Sequence, residues 1–453
     1  MKPSLILINP WIYDFAAFDL WSKPLGLLQL AAYLRQYDFR VHLIDCLDVH
    51  HPRMKAGATW KRPRRDPYGT GKFWKETISK PEPLQNISRP YSRYGISPSL
   101  FEEELRHCGR PSAILVTSLM TYWYPGVRDA VRIAKAVYPD VPVILGGIYA
   151  NLCHRHAVDC CGADRVISGD GMATILKVLD EYGIPAPADN PNPEKALRPA
   201  FDLLTRIDYI CIMTSRGCPY QCKYCASRHL NPLFVQRDAE EVLDEILYWH
   251  RDFGVRDFAF YDDALLVGSR SHLGVLLEKL ARLDLDLRFH TPNAMHVKDI
   301  TFEIAGLMYR TGFRTIRLGL EALDMAFHRD LDNKMKEGDF ERAVRNLRTA
   351  GYSSQQIGAY ILMGLPGQSA ESVAETITLV GGAGASPYLS EYSPIPLTAL
   401  WEKALTSSQY DLIQEPLFHN NTLLACWSEP MRKKAVTFKR MASEIRRNFR
   451  TDI

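Results

Sequence analysis

No stretch of the 453-residue sequence approaches the roughly 20 consecutive apolar residues that a membrane-spanning helix needs. The longest apolar runs, such as ILVTSLM (114–120) and AYILMGL (359–365), suit buried strands instead. The N-terminus, MKPSLILINPWIYDF, lacks a cationic segment followed by an apolar core and a small-residue cleavage site, so a cytoplasmic location is the expectation. An excess of charge of one sign is also missing. The 55 Lys and Arg nearly balance the 52 Asp and Glu, which argues against a nucleic acid as the main partner. Ten cysteines in a reducing compartment do not read as a disulfide framework, and those that cluster are left for metal ligation or catalysis. With 46% hydrophobic and 24% charged residues, the chain is that of a globular protein, long enough for two domains and an appendage.

Residues 1–182 alternate between strand and helix patterns. Apolar runs at 5–9, 40–45, 113–117, 141–147 and 165–168 are separated by helical stretches near 24–37, 125–137 and 172–182. Such alternation implies an α/β domain with a doubly wound parallel sheet, whose ligands bind outside the carboxyl ends of the strands. Gly146, Gly147 and Gly169 stand at such ends, where they serve either as tight turns or as points of close approach. Residues 183–204 hold five prolines and read as a linker that cannot continue a helix. A second series then offers six strand candidates, at 209–215, 256–261, 287–290, 315–321, 357–364 and 388–393. Helical patterns lie between them; one opens at Asp238 with Glu241 as its capping pair and stops at Gly254. Six βα units over 205–398 predict a partial parallel barrel with its chemistry at the C-terminal strand ends. Residues 399–453 read as a helical C-terminal extension.

The first strand of this second series runs into RGCPYQCKYCAS (216–227), which spaces Cys218, Cys222 and Cys225 as Cys-x3-Cys-x2-Cys with no fourth cysteine close by. A structural zinc site closes a tetrahedron with four ligands, and a closed iron–sulfur cubane also takes four thiolates. Three thiolates leave one iron of a 4Fe–4S cluster open to bind a substrate directly. This loop resembles the signature of the radical S-adenosylmethionine (SAM) superfamily. The resemblance implies that the open iron chelates the amino and carboxyl groups of S-adenosylmethionine. It further implies that an electron from the reduced cluster breaks the sulfonium bond, giving methionine and a 5′-deoxyadenosyl radical that abstracts a hydrogen. By the same resemblance Tyr224 packs near the adenine, and Asp262 and Asp263, in Tyr-Asp-Asp (261–263), meet the methionine amino group. Asn293 then falls where a polar residue contacts the ribose or carboxylate, and Glu321 and the GLPGQ loop beginning at Gly364 match family landmarks. That loop usually reads GLPGE, so Gln368 is a departure. A reductant such as flavodoxin or ferredoxin is the implied partner.

The order of the domains resembles the subgroup with an N-terminal cobalamin-binding domain. PLGLLQLAAYLRQYDFRVHLID, VILGGIYA and RVISGDG follow its pattern, and the whole resemblance covers nearly residues 1–400. It implies a Rossmann-like domain that takes the nucleotide tail of cobalamin on Gly146, Gly147 and Gly169. It also implies methyl transfer or a carbon-skeleton rearrangement of an unidentified substrate. The Asp-x-His-x-x-Gly motif that gives cobalt a histidine in many cobalamin proteins is absent, and the loop at 10–24 has no histidine. A relic domain supporting a cobalamin-free oxidation or hydrogen abstraction is therefore the rival reading, and an electron-transfer or sensor protein lies beyond it.

Four features remain. Cys153, His154, His156, Cys160 and Cys161 form either a second metal site or a set of buried cysteines. His50 and His51 read as a metal pair or, preferably, as solvated loop residues. The interruption at about 46–110 carries eleven Lys or Arg against three acids between Arg53 and Arg93, interleaved with Trp60, Tyr68, Phe73, Trp74, Tyr91 and Tyr94. Such a segment either clamps an anionic substrate or RNA, or packs its aromatics on the sheet edge. Residues 431–450 hold eight basic residues and one acid, with Ala435, Phe438, Ala442, Ile445 and Phe449 on one helical stripe. That helix either lies on an anionic membrane surface near a lipid-linked substrate, or packs on its own barrel.

Overall fold

The computed structural model describes residues 2–57, 60–188 and 197–451, with backbone alone for the last two. The third and fourth of the linker's five prolines, Pro191 and Pro193, lie outside the described residues. The chain forms two compact units: residues 1–208 with 413–418, and 209–412 with 419–453.

The first unit is built on a five-stranded parallel sheet of β1 (Ser4–Asn9), β2 (Arg40–Asp45), β3 (Ala113–Val116), β4 (Val143–Leu145) and β5 (Arg165–Val166). Its spatial order is β5-β4-β3-β1-β2. Leu5 to Ile8 of β1 are wholly buried, which is why this strand reads as a continuous apolar run rather than an alternating one. α1 (Leu25–Gln36) covers the sheet through Leu27, Ala31 and Leu34, and α6 (Gly171–Glu181) adds Ile175, Val178 and Leu179 to the same core. Strand order reverses between β1 and β3, so the loops that follow these two strands flank the switch point, where such sheets bind ligands.

The interruption after β2 is ordered structure. Residues Lys75–Ile78 and Tyr91–Tyr94 form an antiparallel sheet with Ile12–Asp14 of the loop after β1, and α2 (Pro98–His107) completes the segment. Phe73, Trp74, Tyr91 and Tyr94 are buried there: Phe73 and Tyr94 pack with Ile12, Ala17 and Leu47, Trp74 donates to the Val49 carbonyl at 3.2 Å, and Tyr91 bonds to the Tyr13 carbonyl. Arg65, Arg93 and Arg53 pair with Asp19, Glu76 and Glu103–Glu104. These aromatics are core and these cations are neutralised, which corrects the expectation of a clamp built from them. The loop histidines are likewise structural rather than solvated: His50 pairs with Asp208, and His51 with Glu104 at 3.0 Å.

The second unit is a curved parallel sheet of β6 (Ile210–Ile212), β7 (Asp257–Phe260), β8 (Arg288–His290), β9 (Phe313–Glu321), β10 (Ile357–Met363) and β11 (Ser386–Glu391), in that order. A short strand, Met295–His296, also pairs with β9. Side chains cap crossover helices, at the first of them Asp238 alone rather than the expected Asp238–Glu241 pair. Asp238 accepts from the Glu240 amide at the start of α7 (Ala239–Phe253), which ends at left-handed Gly254, and Ser369 caps α11 (Ala370–Gly382). The C-terminal α12 (Glu429–Thr451) turns its apolar stripe inward. Ala435, Phe438 and Ala442 are buried, Arg446 lies 5.0 Å from the Tyr388 ring, and Lys439 pairs with Glu391 of β11 at 2.6 Å. The stripe expected to have a choice between membrane and barrel is covered by the barrel.

Candidate functional site

β6 delivers the chain to the three-cysteine loop, and Asp262 fixes the point of departure. Its carboxylate, 2% exposed at the end of β7, accepts from the Thr214 and Ser215 amides at 3.0 and 2.6 Å and from their hydroxyls at 2.7 and 2.6 Å. Gly217 then adopts φ +78°, and a Cβ there would stand 2.4 Å from the Leu233 carbonyl. No other residue fits that turn. Further along, the Lys223 amide donates to the Leu331 carbonyl and the Leu400 amide to the Lys223 carbonyl, while the Cys225 amide bonds back to Cys222.

Cys218 and Cys222 are half-buried, Cys225 is exposed, and none is in a disulfide. Burial pushes the Cys218 thiol up, with the Asp263 and Cys225 charges adding to it, while the Tyr220 amide and the Lys334 ammonium oppose the rise. Burial pushes Cys222 up to about 12, again against Lys334. Thiols so placed stay protonated until a metal takes the proton's position. Among the described residues no three His, Cys, Asp or Glu side chains converge on a single ion position. A cubane makes no such demand, because each thiolate binds its own iron. The donor set, three unpaired thiols on one loop, fits that group.

Beneath the loop lies a charged cluster. The Lys334 ammonium, its side chain 11% exposed, stands 3.2 Å from Glu321 Oε1, 3.7 Å from Asp332 Oδ2 and 5.5 Å from the centre of the Tyr224 ring. Asp332 also accepts from the Tyr224 hydroxyl at 3.0 Å and from His328 Nδ1 at 2.9 Å. The other His328 nitrogen faces the Ala322 carbonyl at 2.8 Å. With acceptors on both sides the imidazole carries both protons, and Asp332 raises its pKa despite burial. Glu321 itself sits at φ +65° where the β9–β10 register shifts, which turns its carboxylate toward Lys334.

The remaining expected residues surround this point. Asp263 is half-buried with its pKa raised by burial, and it keeps the accessible edge that Asp262 lacks. Asn293 is exposed and ties the Tyr261 carbonyl at 2.9 Å. Gly364 has φ +104°, and its amide donates to Gln368 Oε1 at 3.0 Å while Gln368 Nε2 donates to the Leu362 carbonyl at 2.8 Å. A carboxylate in place of Gln368 has no proton for that second bond, which gives the departure from GLPGE a local role. Tyr220, between the first two cysteines, packs at a tilt against the His296 ring, 4.3 Å between centres, and lies under Lys298 at 4.7 Å. His296 is buried with no hydrogen-bond partner on Nδ1 among the described residues, and burial lowers its pKa to about 3.

In the first unit, the strand ends at the switch point carry exposed apolar side chains: Phe18 and Leu20 after β1, Met120 after β3. Gly147, at φ +95°, leaves no room, since a Cβ would lie 2.3 Å from the Ser118 carbonyl. A Cβ at Gly146 or Gly169 would meet nothing within 4 Å, so the backbone there borders open space. This mixture of open glycine backbone and uncovered apolar side chains fits a large, partly apolar cofactor. The neighbouring Cys153, Cys160 and Cys161 gather no metal site among the described residues; His156 Nδ1 instead bonds the Tyr149 hydroxyl at 2.6 Å, and Cys161 is buried beside the same hydroxyl.

Asp332, His328, Lys334 and His296 were not among the expected residues. Only the charge-rich run HRDLDNKMK after Glu321 hinted at the first three, and nothing in its spacing separates a buried cluster from a solvated turn.

Comparisons with known proteins agree with this geometry. The model of the Radical SAM superfamily matches residues 212–380. An uncharacterized methyltransferase of Pyrococcus horikoshii is 23% identical over 330 residues, 66% of this chain and 70% of the relative. Cytidylyl-2-hydroxyethylphosphonate methyltransferase of Streptomyces wedmorensis is 20% identical over 437 residues, 82% and 75% of the two chains. Among solved structures, the radical S-adenosylmethionine methyltransferase TsrM from Kitasatospora setae, with cobalamin and a 4Fe–4S cluster bound, superposes with a TM-score of 0.63 at 17% identity. The match covers 91% of this chain and 80% of that one, and shows a shared fold.

Proposed function

We propose, from the premise that this chain is a member of the radical SAM superfamily, that it is a cobalamin-dependent enzyme transferring a methyl group to a small-molecule substrate. The observation that carries the proposal is the three-thiol loop, anchored by Asp262 and backed by Lys334, at the C-terminal end of a parallel barrel. Cys218, Cys222 and Cys225 would hold the cluster, which when reduced supplies the electron that cleaves S-adenosylmethionine. Asp263 and Asn293 would orient the methionine end and the ribose, and Tyr224 would pack by the adenine. In the first unit the backbone at Gly146 and Gly169 would lie along the nucleotide tail of cobalamin, with Phe18, Leu20 and Met120 excluding water around it. The two relatives are methyltransferases by name, which supports methyl transfer over rearrangement.

The test is low-temperature EPR of the anaerobically reconstituted, dithionite-reduced protein, together with cobalt content after expression with cobalamin. A cluster signal that is lost in Cys222→Ala and changes on adding S-adenosylmethionine supports the reading. A signal indifferent to S-adenosylmethionine would leave electron transfer or sensing in its place. Absence of cobalt would leave the cobalamin-free reading.

A further inference from the structure

The cluster of charges beneath the cysteine loop has a composition that packing alone does not require. A buried ammonium is costly unless paired, and Lys334 is paired twice, with Glu321 and Asp332. Asp332 in turn is held by Tyr224, His328 and the Lys334 amide. Two carboxylates, one imidazolium and one ammonium therefore sum to about zero, beside a site where three thiolates and the cluster core they would hold keep a small net negative charge. Lys334 is the member of this set that reaches the cysteine loop with a positive charge, its ammonium 5.5 Å from the ring centre of Tyr224, which stands between Cys222 and Cys225. Its position is fixed from three sides: the carboxylate of Glu321, the carboxylate of Asp332 and the face of Tyr224, a residue of the cysteine loop itself.

We propose that Lys334 is a positioning residue for the cluster, its fixed ammonium raising the reduction potential of the metal group that Cys218, Cys222 and Cys225 hold. The proposal rests on the cluster reading given above. Reduction adds one negative charge to the group, and a cation held in a low-dielectric setting favours the reduced state. Glu321 works against Lys334 electrostatically while holding it in place, so the two charges have opposite effects on the potential. Tyr224 links this shell to the loop mechanically, because its hydroxyl donates to the same Asp332 that partners Lys334. A second shell that both orients the ligands and sets the electronic character of a metal centre is a general feature of such sites.

The experiment is an EPR-monitored redox titration of the full chain without S-adenosylmethionine, comparing wild type with Lys334→Met, Lys334→Arg and Glu321→Gln. Iron and sulfide content are measured on each sample. The expected result is a midpoint potential moved to more negative values in Lys334→Met, restored toward wild type in Lys334→Arg, and moved to more positive values in Glu321→Gln. A residue that only packs beneath the loop would not give shifts of opposite sign at equal cluster content. Equal potentials in wild type, Lys334→Met and Glu321→Gln would overturn the proposal while leaving the cluster reading intact. If Lys334→Met assembles no cluster, the Lys334→Arg and Glu321→Gln shifts decide alone: a wild-type potential in Glu321→Gln overturns it. A wild-type chain that binds no iron overturns both readings at once.

Discussion

Adjacent carboxylates in this protein have been given different work by their surroundings. Asp262 accepts from four donors of Thr214 and Ser215 and holds the start of the cysteine loop, whereas Asp263 keeps an accessible edge. Asp262→Ala leaves those buried donors unsatisfied, and each such group costs about 1–3 kcal/mol. We expect a clearly lowered melting temperature and little cluster on reconstitution. Asp263→Asn should keep the melting temperature and the cluster, and diminish only the EPR change on adding S-adenosylmethionine. A second residue-scale prediction concerns pH. His296 has its pKa lowered to about 3, so the unfolded chain takes up the proton first as pH falls below 6.5. Its contribution to stability is complete above pH 6.5 and is lost as pH falls toward 3, by at most about 1.4 kcal/mol per pH unit. Between pH 6.5 and 5 the melting temperature of His296→Gln should therefore fall less steeply than that of wild type. The cysteine triplet was readable because its spacing is local. The partners of Lys334 were not, because Glu321, Asp332 and Tyr224 meet only once β9 and the loop behind it are folded.

At the scale of elements, apolar runs located eleven of the twelve described strands of the two sheets to within a few residues, missing only the short Met295–His296, since buried parallel strands need continuous apolar sequence. The small antiparallel sheet of 12–14, 75–78 and 91–94 went unread. Its strands are short, mixed in polarity, and paired with the loop after β1, far away in sequence. The glycines after β4 offer a clean separation of fold from ligand. Gly147→Ala forces a Cβ onto the Ser118 carbonyl at a φ that alanine rarely adopts, and should cost about 1–3 kcal/mol or more, read as a lower melting temperature. Gly146→Ala meets no atom and should leave that temperature nearly unchanged. If the nucleotide tail runs along this backbone, the same alanine should reduce the cobalt retained after gel filtration.

For the whole molecule, the near balance of charge is reached by neutralising cations locally rather than by gathering them, as at Arg53, Arg65 and Arg93. The basic C-terminal helix is the exception, and its apolar face is already occupied. Full-length protein should remain with the soluble fraction when mixed with phosphatidylserine vesicles at physiological salt. Flotation with the vesicles would mean that α12 can leave the barrel. Removing residues 429–451 should instead expose the surface that Phe438 and Ala442 cover, and yield aggregated protein. Sequence periodicity supplied the stripe, but both of its possible uses satisfy the same pattern, and only the packing on β11 decides between them.

Residues 413–418 belong to the first unit although the chain has left that unit at residue 208. Within this segment Glu415 accepts from the hydroxyl of Tyr124, 291 positions earlier, and Leu417 is almost fully buried. On a ribosome adding about 5–20 residues each second, the first unit waits on the order of 10–40 s for its missing piece. The unit that begins synthesis first is thus completed almost last. A nascent chain stalled before residue 413 should be markedly more sensitive to protease in its first 208 residues than one released just after residue 418, and an expression host that translates slowly lengthens that exposed interval.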